Sequence, residues 1–349
     1  MSDPVYIEQT ASRPFRIRPN EFDVTGRVCV SSAASVRDAV HDIFLQAYPG
    51  SAFDILWVAF HDFERLFRGQ YEDYLGCDTV YHDIQHTLDM TLAMARLLAG
   101  HEKTCAAADR LGQERAVLGL ITALFHDSGY IRRRSDTGIL NGAEFTGQHV
   151  SRSAEFLRSY LPRIGLTGQA QVAAQAVHFT GYEMSLDDIE LDDPRDSLVG
   201  HLLGTADLMA QMADRCYLEK CRDRLYAEFV LAGVATRAIP AADRIQYQSG
   251  IDLLRQTPGF FRLSVRERLD QKFNRAYRYI EAACEGRNPY FEAIEQNMAH
   301  LERVIDSEGW DRLRRQPPCF TVLEQPLQHV SGLVSRYLAR FEMPAAIPA

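Results

Sequence analysis

From about Ser35 onward, apolar residues return every three or four positions almost without interruption. That is the spacing of helices that bury one face. Ser35-Val-Arg-Asp-Ala-Val-His-Asp-Ile-Phe-Leu keeps the rhythm until Pro49-Gly50 breaks it, and a second helix is predicted from about Phe53 to Phe67. Two stretches are apolar on most faces: 82–98, with Ile84, Leu88, Met90, Leu92, Met94, Leu97 and Leu98, and 115–125, ending Leu-Ile-Thr-Ala-Leu-Phe. Helices with so little polar surface belong at the centre of a domain. Further helices are predicted over 144–160, 168–178, 195–217, 220–232, 240–256, 263–284, 288–306 and 326–341. Residues 1–34, with prolines at 4, 14 and 19, read as an irregular lead-in with one short strand near Arg27-Val-Cys-Val. The expectation is an all-α chain: a helical domain over 35–315, then a tail over 316–349 carrying one short helix.

Composition narrows the function classes. The chain has 349 residues, 46% hydrophobic and 24% charged, which is ordinary for a globular protein. A net charge of −9 argues against holding a nucleic acid polymer. A small anionic substrate stays compatible, because a bound dication reverses the local field. The seven cysteines are scattered and form no CxxC pair, so neither a zinc knuckle nor a disulfide framework is expected. No basic-then-apolar leader and no run of about 18 apolar residues occurs, so the expectation is a cytoplasmic protein without a membrane partner.

His-Asp occurs four times, at 41/42, 61/62, 82/83 and 126/127. The first two lie in amphipathic helices with no histidine four residues away and read as surface or capping pairs. His126-Asp127 instead ends a strongly apolar helix, with no Lys or Arg in the ten residues before it. A buried carboxylate needs a positive partner, and a metal ion is the simplest one. His82 and His86 are four apart and share a helix face. His149 (in Phe145-Thr-Gly-Gln-His), His178 (ending Ala173-Ala-Gln-Ala-Val-His) and Asp207 (in Leu202-Leu-Gly-Thr-Ala-Asp) each sit in apolar surroundings. Each alone reads as a hydrogen-bonded core residue. Together they are candidate ligands, and imidazole plus carboxylate suits a transition metal better than calcium.

Tyr81-His82-Asp83-Ile84-Gln85-His86-Thr-Leu-Asp89, then His126-Asp127, then Asp207, resembles the HD superfamily of metal-dependent phosphohydrolases, closest to its cyclic-nucleotide phosphodiesterase branch. The likeness covers about residues 55–235. It implies an HD-type helical bundle in which His86, His126, Asp127 and Asp207 hold a first metal. By the same resemblance Asp127 bridges to a second metal, and the His82 equivalent donates a proton to the leaving oxygen. Phosphodiester hydrolysis asks for that chemistry: a metal-bound hydroxide, a Lewis acid on the phosphoryl oxygens and an acid for the alkoxide. Arg132 and Arg133, just beyond the His-Asp turn, are candidates for steadying the phosphate; the competing reading is a solvated loop. The expected cofactors are two ions drawn from iron, manganese, zinc, cobalt, nickel or magnesium. The expected substrate is a small phosphoester or nucleotide, and homodimerisation is left open.

The chain also departs from that branch. Animal-type members bind the second metal largely through water, whereas His149 and His178 offer direct ligands. That six-ligand order is also similar to the HD-GYP phosphodiesterases and to HD-type di-iron oxygenases. Tyr130 stands where the HD-GYP branch carries a lysine, and Gly181-Tyr182-Glu183 is not the Gly-Tyr-Pro motif. Two alternatives therefore accompany the hydrolase reading: a mixed-valent di-iron oxygenase, and a metal-binding regulatory module that dimerises through the helices after about residue 235.

Overall fold

The computed structural model describes residues 18–239 and 244–340. The fold is all-α, as the periodicity predicts. Its helices are α1 (Ala33–Ala47), α2 (Asp54–Phe67), α3 (Ile84–Thr104), α4 (Gly112–Phe125), α5 (His149–Arg163), α6 (Ala170–Ala176), α7 (Pro194–Ala213), α8 (Tyr217–Lys220), α9 (Tyr226–Leu231), α10 (Gly250–Phe260), α11 (Tyr279–Ala283), α12 (Pro289–Asp306) and α13 (Pro326–Leu338). A small antiparallel ladder, β1 (Ala238–Ile239) with β2 (Arg244–Ile245), joins α9 to α10. None of the described helices is long and apolar enough to cross a membrane.

Side-chain caps set many of the helix starts. Ser32, Asp83, Asp193, Ser249 and Asn288 each accept a backbone N–H in the first turn of the helix that follows. Pro194 and Pro289 reinforce two of these starts, where a missing N–H costs nothing. The apolar stretch 82–98 becomes the central helix: α3 is buried from Gln85 to Leu98 and packs against α1, α4, α7 and α11.

The structure differs from the sequence expectation in several places, among them the helix predicted over 144–160, which starts at His149 after a 3-10 turn. Over 240–256 the chain runs through the ladder and starts its helix at Gly250, where the Ser249 hydroxyl caps it; residues 240–243 lie outside the described residues. The helix predicted over 195–217 stops at Ala213, because the Asp214 carboxylate accepts from Cys216 N–H and pairs with Lys220. The helix predicted over 263–284 breaks at Asn274 and Arg275, both left-handed with φ of 48° and 54°. At the start of the chain, an isolated bridge between Phe22 and Cys29 stands where a strand is predicted; residues 1–17 lie outside the described part.

The segment after 316 packs back onto the domain. Arg224 donates to the carbonyls of Pro317 and Pro318, Phe320 N–H donates to Asp83, and Val322 N–H donates to the Cys77 carbonyl. α13 then lies against α9, which itself packs on the 3-10 turn Gly142–Phe145.

Candidate metal centre

Three helices deliver a compact group of imidazoles and carboxylates. At the start of α3 the Asp83 carboxylate accepts from the N–H groups of Gln85 and His86, which fixes the turn carrying His86. His126 and Asp127 close α4, and Asp207 projects from the buried part of α7. His86 Nε2 lies 3.2 Å from Asp207 Oδ1 and 3.4 Å from Asp127 Oδ2. His126 Nε2 lies 3.2 Å from Asp127 Oδ2 and 3.7 Å from Asp207 Oδ1. One ligand atom each from His86, His126 and Asp127 falls within 4.8 Å of the others, and all three residues are buried.

Two of the histidines are oriented in advance. Nδ1 of His126 sits 2.8 Å from the Ala123 carbonyl, and Nδ1 of His149 sits 2.8 Å from the Thr146 carbonyl. A carbonyl only accepts, so each Nδ1 carries the hydrogen and each Nε2 is left to coordinate. His149 opens α5, and its Nε2 is 3.9 Å from Asp127 Oδ1. Glu183 holds that end of α5, accepting from the N–H groups of Val150 and Ser151 and from the Ser151 hydroxyl. The approach depends on Gly129: a Cβ there would sit 1.8 Å from the His149 carbonyl oxygen.

The electrostatics follow from this crowding. Burial pulls the His86 imidazole down, but the neighbouring carboxylates of Asp127 and Asp207 outweigh it and lift it to about 10. Burial likewise opposes, and Asp127 outweighs, in raising His126. Asp127 is pushed up by burial and pulled further down by His126 and His86, ending well below the usual carboxylate range. Even so, His126 Nε2 and Asp127 Oδ2 have no hydrogen-bond partner among the described residues. Two unpartnered buried ligand atoms facing one another are what a cation would satisfy. The donor set of imidazole and carboxylate fits a metal ion, which would take the place of the protons that these imidazoles otherwise hold.

His82 stands beside this group, on the loop leading into α3. Its Nδ1 is 2.6 Å from Glu228 Oε2, and the other Glu228 oxygen accepts from Tyr81 N–H at 2.6 Å. Glu228 is fully buried and lies 146 residues away in α9. The His82 and Tyr130 rings stack with centroids 4.4 Å apart, Tyr130 and His149 stack at 4.3 Å, and the two histidine rings are 6.2 Å apart. The three rings and the cluster line one cavity of about 580 Å³, whose far wall includes Tyr182, Phe229, Tyr247, Leu253 and Phe260.

Not every predicted site residue meets there. His178 is half-buried in the turn after α6, and it does not line the cavity; burial lowers its imidazole, and its nearest charges are Glu183 and Arg158. Arg132 is spent on Asp78 and the Ile139 carbonyl, and Arg133 lies over the Tyr74 ring near Glu155. Neither arginine lines the cavity. The guanidinium that does is Arg237, whose side chain makes no hydrogen bond or ion pair to another described residue. Glu228, Glu183 and the Tyr130 stack escape sequence reasoning, since no spacing links them to the histidines they hold. Compared with known proteins, the chain matches no family model and no curated protein.

Proposed function

We propose that the chain is a metal-dependent phosphohydrolase that cleaves a small phosphoester, a cyclic nucleotide being the leading substrate class. The observation that carries this reading is the His82–Glu228 pair: a histidine beside the metal cluster but outside it, tied through Nδ1 to a buried carboxylate. His86, His126, Asp127 and Asp207 would hold a first ion, with Asp127 shared toward a second near His149. Bound there, iron, manganese, zinc, cobalt, nickel or magnesium would polarise the phosphoryl oxygens and acidify a water.

The chain's own residues supply the rest. Glu228 accepts from His82 Nδ1–H and fixes the ring, so Nε2 is the nitrogen left to hand a proton to the departing alkoxide. Tyr130 keeps that ring parallel to its own and in place. The apolar wall formed by Phe229, Leu253 and Phe260 limits water around the ester. A di-iron oxygenase would use the same cluster but has no task for a proton donor aimed at a leaving group.

Metal content and hydrolysis of bis-p-nitrophenyl phosphate, measured together on two variants, test the assignment. His82→Ala is expected to keep its metal and lose about 10²- to 10⁴-fold in turnover. Asp127→Ala is expected to lose metal and activity together. Equal metal loss in both variants would remove the proton-donor role. A metal-loaded protein that turns over no phosphoester would remove the hydrolase.

A further inference from the structure

The far end of α3 carries a second group of ligating side chains. His101 and Cys105 are four residues apart and therefore share one face of the last turn, with Glu102 between them. One ligand atom from each of the three lies within 4.8 Å of the others. Fifteen residues of helix, roughly 22 Å at 1.5 Å per residue, separate this group from His86.

Each member is short of partners. His101 is 2% exposed, and its Nδ1 has no hydrogen-bond partner among the described residues. The Glu102 side chain is 10% exposed, yet its closest polar contacts are long: Tyr48 Oη at 3.5 Å and Arg110 Nε at 3.7 Å. Arg110 is itself more than half exposed, so this is a surface-type ion pair of small worth. Cys105 offers its thiol only a weak contact, 3.9 Å to the Glu102 carbonyl. A buried imidazole nitrogen without a partner, beside a partly buried carboxylate with only long contacts, calls for a ligand.

We infer that His101, Glu102 and Cys105 form a separate site for one soft or borderline metal ion, with zinc(II) the best fit. Thiolate and imidazole select zinc over magnesium, calcium or manganese. Two anionic ligands and a neutral imidazole balance a dication, and three protein ligands leave the fourth tetrahedral position to water. Binding transfers no electrons; the Cys105 thiol gives up its proton to solvent as the metal–sulfur bond forms. The site's polar flank, Glu102 with Lys103 and Arg110, opens on a cleft of about 1040 Å³ that gives an ion a path from solvent.

The test uses the tag-free chain of 349 residues, stripped with chelator and titrated with Zn²⁺ or Cd²⁺ alone. Elemental analysis counts ions per chain, and the ultraviolet thiolate-to-cadmium absorption reports the sulfur ligand. The Asp127→Ala chain, which carries no intact active-site cluster, is expected still to gain this absorption and one zinc. Cys105→Ser is expected to lose both. Glu102→Gln, which preserves shape and thiol, is expected to need on the order of tenfold more Cd²⁺ for half-saturation. Undiminished absorption in Cys105→Ser, or none in a folded Asp127→Ala chain, overturns the site while leaving the hydrolase reading untouched.

Discussion

Asp127 and Asp89 are two buried carboxylates with opposite fates. Asp127 lies between His86 and His126, and their positive charge outweighs burial and keeps it ionised. Asp89, one turn beyond His86 on α3, is pushed up to about 7 by burial first and then by Asp23 and Asp214; Arg18 and Arg96 offset only part of it. Its Oδ1 also lacks a hydrogen-bond partner among the described residues. Burial alone thus says little about function. What separates the two is whether oriented imidazoles converge on the carboxylate, and that depends on how closely neighbouring segments approach.

The largest effect should come from spoiling that approach. Gly129→Ala forces a Cβ against the His149 carbonyl and pushes α5 away from Asp127, at a cost of about 3 kcal/mol or more. Denaturant unfolding checks the stability loss, and metal stoichiometry checks whether His149 was needed to hold an ion. An unchanged variant would mean that the close packing around Asp127 is not what distinguishes it.

The all-α class and most helix spans were legible in the sequence, because the apolar period is a local signal, whereas the caps Ser32, Asp193 and Asn288 that set the exact starts emerge only from the structure. The cluster was legible for a related reason: His86, His126-Asp127 and Asp207 are polar interruptions of apolar helices. Glu228 was not, although it holds His82, since in Ala-Glu-Phe-Val-Leu it reads as one more charge on an amphipathic helix. Its meaning comes from tertiary packing across 146 residues. Arg132 and Arg133 failed for the converse reason: proximity in sequence to the His-Asp turn did not carry their side chains to the cavity, because Asp78 and Tyr74 claim them.

A smaller effect is expected at Glu228. Glu228→Gln keeps the shape but can present an amide N–H to His82 Nδ1, which selects the other tautomer of the ring. Turnover should fall on the order of 10²-fold with metal content unchanged, and a shifted pH–rate profile would separate this from loss of packing.

The smallest effect belongs to Asp89. An acid whose value is raised in the fold keeps its proton there while the unfolded chain releases it. Its stabilising contribution is therefore complete below its ordinary 3.8 and is lost as pH rises toward about 7. Asp89→Asn lacks that loss, so the variant should gain melting temperature over the parent, by a few degrees at pH 8 and less at pH 5. Thermal scans at the two pH values check it, and a variant less stable at both would show that the Asp89 charge is compensated after all.

The strap at Pro317–Val322 has a consequence for the order in which the molecule assembles. Asp83 receives the Phe320 N–H from 237 residues away, and the loop bearing Tyr81 and His82 is clasped by that same late segment. A growing chain can form α3 and α4 early, since their contacts are near in sequence. It must reach residue 320 before the entry to α3 is fully bonded. Closing so long a loop is paid for only by the contacts that follow it, so the entry to α3 completes its hydrogen bonds only after all the residues of the metal cluster have been made.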